Sequence, residues 1–171
     1  LILRAQGVGL SIALVPLVMV VMNATYALAA YPAGILADRA GRSGVLGLGI
    51  GFLLVADLVL AFGVTIPLTL LGVVFWGLHM GFTQGLFATL VADTVPAELR
   101  GSAFGLYNLA TGIAMLAASV IAGALWQWFG PPATFLAGAA FTTIAVLGYV
   151  VLQRSVTAPT HPRPPEGYRD T

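Results

Sequence analysis

Two ionisable side chains interrupt long apolar stretches of this sequence. His79 lies in a stretch from about Pro67 to Ala92, and Asp57 lies in one from about Val45 to Val64. If these stretches cross a membrane, each group costs about 2.5 to 3.5 kcal/mol on insertion scales, so each requires a reason. An imidazole can transfer a proton or bind a polar ligand, and proton coupling requires a carboxylate that gains and loses a proton. The alternative is that each group is neutral and hydrogen-bonded to an adjacent helix.

Helical periodicity separates two faces of the stretch that contains His79. Small residues recur every four positions, with a glutamine and an alanine on the same face: Gly77, Gly81, Gly85, Gln84 and Ala88. Such a stripe allows close helix packing. His79 projects from nearly the opposite face, with Trp76 and Thr83 beside it at helical spacing. One face therefore packs, while the other can meet a substrate or a proton.

Three further polar residues are candidates for a polar path. Asn23 and Tyr26 are one helical turn apart in the first apolar stretch, and Asn108 lies in the fourth. We predict that the first two line part of a cavity. Asn108 can contact a substrate, but a hydrogen bond between helices explains it equally well.

The composition indicates an all-α membrane protein. Of the 171 residues, 59% are hydrophobic and only 8% are charged, and the mean hydropathy is +0.99. A typical soluble domain carries about 25% charged residues, and a core of this size cannot hide so much apolar surface from water. The absence of cysteine excludes disulfides and thiolate metal sites. Without a basic run, the net charge of +1 does not predict nucleic-acid binding.

Five segments are long enough to cross the hydrocarbon layer, which takes roughly 20 apolar residues. In lipid the backbone must satisfy its own hydrogen bonds, so these segments are predicted to be helices. Their approximate bounds are 11–36, 45–64, 67–92, 102–126 and 134–152. We predict a membrane domain over residues 1–154 and a proline-rich, disordered tail over residues 155–171. Because the chain opens on Leu1 inside an apolar run, we interpret its start as an internal break.

The arginines predict the orientation of the spans. Six of the seven lie in alternate connections or after the last span, and Arg4 is the exception. By the positive-inside rule, those connections and the C-terminus are cytoplasmic. Trp126 and Trp128 flank an outer turn, where interfacial aromatic residues concentrate.

The first of these connections carries a family resemblance. The segment Gly34-Ile-Leu-Ala-Asp-Arg-Ala-Gly-Arg42 resembles the loop signature of the major facilitator superfamily, G-x-L-A-D-R-x-G-R-[RK]. Ser43 replaces a usual basic residue, while the matching positions include Gly34, Leu36, Asp38, Arg39, Gly41 and Arg42. A second segment, from Asp93 to Gly101 and on to Asn108, resembles the loop between the tenth and eleventh helices of bacterial members.

The chemistry of the first motif is consistent with a gate. Gly34 and Gly41 permit tight turns and close backbone approach. Asp38 can accept hydrogen bonds from Arg39 or Arg42, or face the N-terminus of a neighbouring helix. Contacts of this kind would stabilise one conformation and break in another. The alternative is a simple positive-inside anchor. We place six residues in this predicted gate: Gly34, Asp38, Arg39, Gly41, Arg42 and Arg100.

The resemblance implies helices eight to twelve of a 12-helix bundle whose N-terminal half is missing from this sequence. Members of this family are secondary transporters that alternate access around a midplane site. The implied function is proton-coupled movement of a small solute across the inner membrane of a bacterium, without a cofactor or resident metal. The alternative is a membrane scaffold or accessory subunit that moves nothing. An intramembrane enzyme is disfavoured, since no HExxH motif or paired acidic site lies within one span.

Overall fold

The computed structural model describes residues 1–156, which fold into six helices and contain no strand in that range. Five helices are long and apolar enough to cross a membrane, as the sequence predicts. Two short 3-10 turns, Ile12–Leu14 and Ala97–Leu99, precede long helices. Of the predicted tail, residues 155 and 156 belong to the last helix, and residues 157–171 lie outside the described residues. The helices are α1 (Ile2–Gly7), α2 (Val15–Ala40), α3 (Arg42–Phe62), α4 (Ile66–Asp93), α5 (Arg100–Phe129) and α6 (Pro131–Val156).

The long helices extend beyond the apolar segments from which they were predicted. Helix α2 continues past Leu36 to Ala40, and α5 begins at Arg100. Hydropathy marks the edge of the hydrocarbon layer, whereas backbone hydrogen bonds continue into the polar interface. The connections are consequently shorter than the sequence suggests, and only Gly41 separates α2 from α3.

Helix α4 is central to the packing. It packs extensively against α2 and α3, while α6 packs against α3, and α5 contacts mainly α6. A Cβ atom on Gly77 would lie 2.6 Å from the carbonyl oxygen of Met22, and one on Gly81 would lie 2.7 Å from the Cβ of Ala29. A Cβ on Gly85 would have no neighbour within 4 Å. The small-residue stripe therefore seats α4 against α2 at two of its three glycines.

Helix α5 is the least covered element of the bundle. None of its residues is buried, and apolar side chains such as Leu106, Ile113 and Leu116 are 61–69% exposed. A helix that is apolar on its exposed side suits contact with lipid or with further protein.

Arg4, the one arginine that does not fit the predicted orientation pattern, forms hydrogen bonds with the C-terminal end of α3. Its side chain is 8% exposed, and its Nε donates to the carbonyl oxygen of Leu60 at 2.9 Å. Its Nη2 donates to the carbonyl oxygens of Gly63 at 3.0 Å and Ala61 at 3.4 Å. The last carbonyls of a helix lack intrahelical partners and carry partial negative charge. Arg4 therefore caps the C-terminus of α3 and is not a charged anchor in a loop.

Candidate functional site

The connections alternate between the two ends of the bundle. Helices joined by short connections run antiparallel, so the α2–α3 and α4–α5 connections lie at one end. Arg39, Arg42 and Arg100 are exposed at this end. The α3–α4 and α5–α6 connections lie at the opposite end, where Arg4 is buried.

An ion pair joins the two connections at the arginine-rich end. Nη1 of Arg42, at the start of α3, lies 2.5 Å from Oδ2 of Asp93, at the end of α4. The two side chains are 43% and 51% exposed. They come from the two segments that carried the family resemblance, so those segments meet in space. The acidic partner differs from expectation, because no hydrogen bond within residues 1–156 joins Asp38 to Arg39 or Arg42.

The two glycines of the predicted gate have different roles. Gly41 has a φ of +90°, a conformation that side chains other than glycine rarely adopt, and it turns the chain from α2 into α3. Gly34 lies inside α2, and a Cβ there would have no neighbour within 4 Å. The prediction of a turn at Gly34 was wrong, because α2 continues through the motif.

The polar path candidates lie mostly on the open surface of these helices. Asn23, Gln84 and Asn108 are exposed, and Tyr26 is half-buried. The Nδ2 of Asn23 donates to the carbonyl oxygen of Met19 within its own helix at 2.8 Å. Their side chains are not joined by any hydrogen bond within the described range. Whether they line a path stays a prediction.

His79 faces α3, on the opposite side of α4 from the glycine stripe. Its Nδ1 lies 2.9 Å from the carbonyl oxygen of Gly49. This contact between helices is the one that the alternative interpretation of His79 describes. If Nδ1 donates to the carbonyl, Nε2 is left free to accept a hydrogen bond or a proton. Thr83 is buried and donates to the carbonyl oxygen of His79 at 2.8 Å, so its hydroxyl is already engaged.

Asp57 is buried where α3 meets α6. Its side chain is 3% exposed. A Cβ on Gly138 of α6 would lie 2.9 Å from its Oδ2, so the glycine provides the space that the carboxyl group occupies. Among the residues whose side chains the structure describes, 1–148 and 150, none donates a hydrogen bond to this carboxyl group, and no described backbone group does so.

Asp57 and His79 line the same cavity, although they lie on different helices. The cavity has a volume of about 640 Å³ and lies between α3, α4, α5 and α6. Its remaining lining is largely apolar and includes Trp76, Phe135 and several alanines of α5. In a second cavity of about 660 Å³, between α3 and α6, none of the described lining residues is ionisable. The tertiary structure thus combines two residues that sequence reasoning treated separately.

Three residues with important contacts escaped the sequence analysis. Asp93 was quoted only within a motif, Gly138 was not singled out, and Arg4 was noted only as an exception. The charge of Arg4 beside an apolar run could have indicated a buried polar contact. The role of Gly138 depends on the packing of α6 against α3, which no local pattern reveals.

Comparison with known proteins identifies relatives over most of the chain. The model of the family described as Major Facilitator Superfamily matches residues 1–169. An uncharacterised MFS-type transporter of Methanocaldococcus jannaschii is 30% identical over 135 residues, covering 78% of this chain and 34% of that protein. Uncharacterised proteins of Mycobacterium tuberculosis and Mycobacterium bovis are each 32% identical over 119 residues, covering 70% of this chain and 28% of each relative. The matched region therefore spans about a third of the length of these relatives.

Proposed function

Because this chain belongs to the Major Facilitator Superfamily, we propose that the complete protein is a secondary transporter. It moves a small solute across the cell membrane by alternating access and is driven by the proton gradient. The arginine-rich end of the bundle and the C-terminus face the cytoplasm. The chain described here supplies helices eight to twelve, and the N-terminal half completes the solute path.

The Arg42–Asp93 ion pair is the observation that carries this proposal. It links the start of α3 to the end of α4 across the arginine-rich end of the bundle. Both side chains are exposed, so the pair can break without leaving a buried charge. A contact of this kind can stabilise one arrangement of the helices and be absent from another, which alternating access requires.

The exposed surfaces of these helices support the proposal that the N-terminal half completes the solute path. No residue of helix α5 is buried, and Asn23, Gln84 and Asn108 are exposed on their helices. Transporter sites of this class lie near the membrane midplane at the interface between repeats. We assign these three residues, with Tyr26, to the surface that the missing half covers and that solute contacts.

The gate is tested by reversing the charges of its ion pair. In the complete protein, R42D or D93R is expected to change the labelling rate of a cysteine at Asn108 by about two- to fivefold, since exposed pairs contribute about 0.2–1 kcal/mol. The double variant, which restores the pair with opposite polarity, is expected to return the rate toward wild type. Labelling uses a membrane-impermeant maleimide applied separately to each side. The 171 residues contain no cysteine that would interfere.

The control removes a charge from the same end without touching the pair. Glu98 is exposed in the α4–α5 connection, and E98Q is expected to label like wild type. Equal rates in every variant would show that the pair does not control access.

Transport itself is tested in liposomes that contain the complete protein and a pH-sensitive dye. An imposed solute gradient is expected to move protons when the correct solute is present in a chemical panel. If no solute moved protons or accumulated above the level of empty liposomes, the protein would be a scaffold or accessory subunit.

A further inference from the structure

We propose that the cavity lined by Asp57 and His79 binds a hydrophobic organic cation, whose positive charge is neutralised by Asp57. This inference deepens the proposed transporter function by naming a class of ligand. It rests on that function only for what happens to the ligand after it binds.

The size of the cavity suits a small organic molecule. Its volume of about 640 Å³ falls within the roughly 300–1,000 Å³ typical of small-molecule sites. Volume alone does not distinguish this cavity as the binding site, because the second cavity is equally large. The two cavities differ in chemistry as far as their described linings go, since only the first includes ionisable residues, Asp57 and His79.

The walls of the cavity favour an apolar ligand with aromatic contacts. Small side chains of α5, including Ala114, Ala117 and Ala118, form one wall, and covering such surface is favourable. Trp76, Phe135 and Phe141 also contribute to the lining. Aromatic faces attract cations through their quadrupole, and tryptophan does so most strongly.

Two residues of the cavity lining, Trp76 and Phe135, belong to a packed cluster. Leu60, Ala61 and Phe135 are buried together, with Trp76 and Trp126 packed around them. The rings of Trp126 and Phe135 meet edge to face with centroids 6.2 Å apart. The other residues of this cluster pack against Trp76 and Phe135, so this part of the cavity wall is preformed.

The sign of the ligand charge follows from the groups around Asp57. No lysine or arginine is among the described residues that line the cavity. The guanidinium of Arg4, the nearby cation at the end of α3, donates to the carbonyls of Leu60, Ala61 and Gly63. His79 contacts Gly49 through Nδ1. A buried carboxylate without a counter-charge is costly. A bound cation removes that cost, whereas an anion increases it and a neutral ligand leaves it unchanged.

The test uses two probes of the same shape and opposite charge. Radiolabelled tetraphenylphosphonium, a cation, and radiolabelled tetraphenylborate, an anion, are bound in separate samples to the complete protein in lipid nanodiscs. We expect saturable binding of the cation and no saturable binding of the anion. The isosteric variant D57N removes the negative charge and is expected to weaken cation binding by about tenfold or more, which corresponds to 1.4 kcal/mol or more.

Two further variants separate the site from general effects. E98Q removes an exposed carboxylate outside the cavity and is expected to bind the cation like wild type. A118F adds bulk to the α5 wall while leaving Asp57 intact, and it is expected to reduce cation binding as well.

Each contrary outcome has a definite meaning. Equal cation binding by wild type and D57N would overturn the role of Asp57. Saturable binding of tetraphenylborate with a similar affinity would show that the site selects apolar surface without regard to charge. If the wild type binds no cation saturably while the cysteine-labelling assay still reports a working gate, the ligand class is wrong and the transporter function stands.

Discussion

Replacing Gly77 or Gly81 by valine is expected to force α4 away from α2. At Gly77 the new Cβ would lie 2.6 Å from a backbone oxygen, which has no freedom to rotate away. Overpacking of this kind costs about 1–3 kcal/mol, and we expect the upper part of that range at each site. The midpoint of thermal unfolding of the purified protein in detergent should fall by several degrees.

Gly85 provides a matched control for this prediction. It belongs to the same stripe and the same helix, so G85V carries the same intrinsic change in helix propensity. A Cβ at this position meets nothing within 4 Å, and the midpoint of G85V is expected to stay near that of wild type. Valine has a higher helix propensity than glycine, so if G85V were as unstable as G77V, the contact with α2 would not be the cause of the loss.

Replacing Arg4 by methionine is expected to lower the free energy of unfolding by about 3 kcal/mol. Hydrogen bonds to charged groups contribute about 1.5–3 kcal/mol each, and the buried carbonyls would lose their donor. Methionine retains the apolar stem of the side chain but removes the guanidinium that caps α3. The same thermal measurement in detergent reports the loss, and R4K is expected to lie between the two because lysine keeps the charge but not the planar fork.

An exposed arginine serves as the reference for Arg4. Arg39 lies on the surface of the bundle, so R39M should leave the unfolding midpoint nearly unchanged. Equal midpoints for R4M and R39M would contradict the capping role of Arg4.

The five long helices were predictable because their signal is local and one-dimensional. About 20 consecutive apolar residues are sufficient to cross the hydrocarbon layer, and lipid leaves such a segment no alternative to a helix. The helix ends were less predictable, since α2 continues to Ala40 through residues that no longer carry an apolar signal. Gly41 was correctly expected to turn the chain, whereas Gly34 is a helical residue.

Helical phase also predicted that the glycine stripe of α4 packs, because periodicity is a property of the element alone. The expectation that the opposite face stays open was wrong, because that face packs against α3 and buries Thr83. The partners across helices depend on rotation and register between elements. A register shift of one residue turns a side chain by about 100° around its helix. The acidic partner of Arg42 therefore could not be chosen between Asp38 and Asp93 from their positions in the sequence.

The amino-acid sequence alone determined that this chain is a bundle of membrane-spanning helices, and its motifs indicated the family. Both follow from apolar length, charge position and local spacing. Only the tertiary structure decided that Arg4 caps α3, that Arg42 pairs with Asp93, and that Asp57 and His79 share one cavity. Each of these contacts joins residues far apart in the chain, and their meeting depends on how the helices pack against one another.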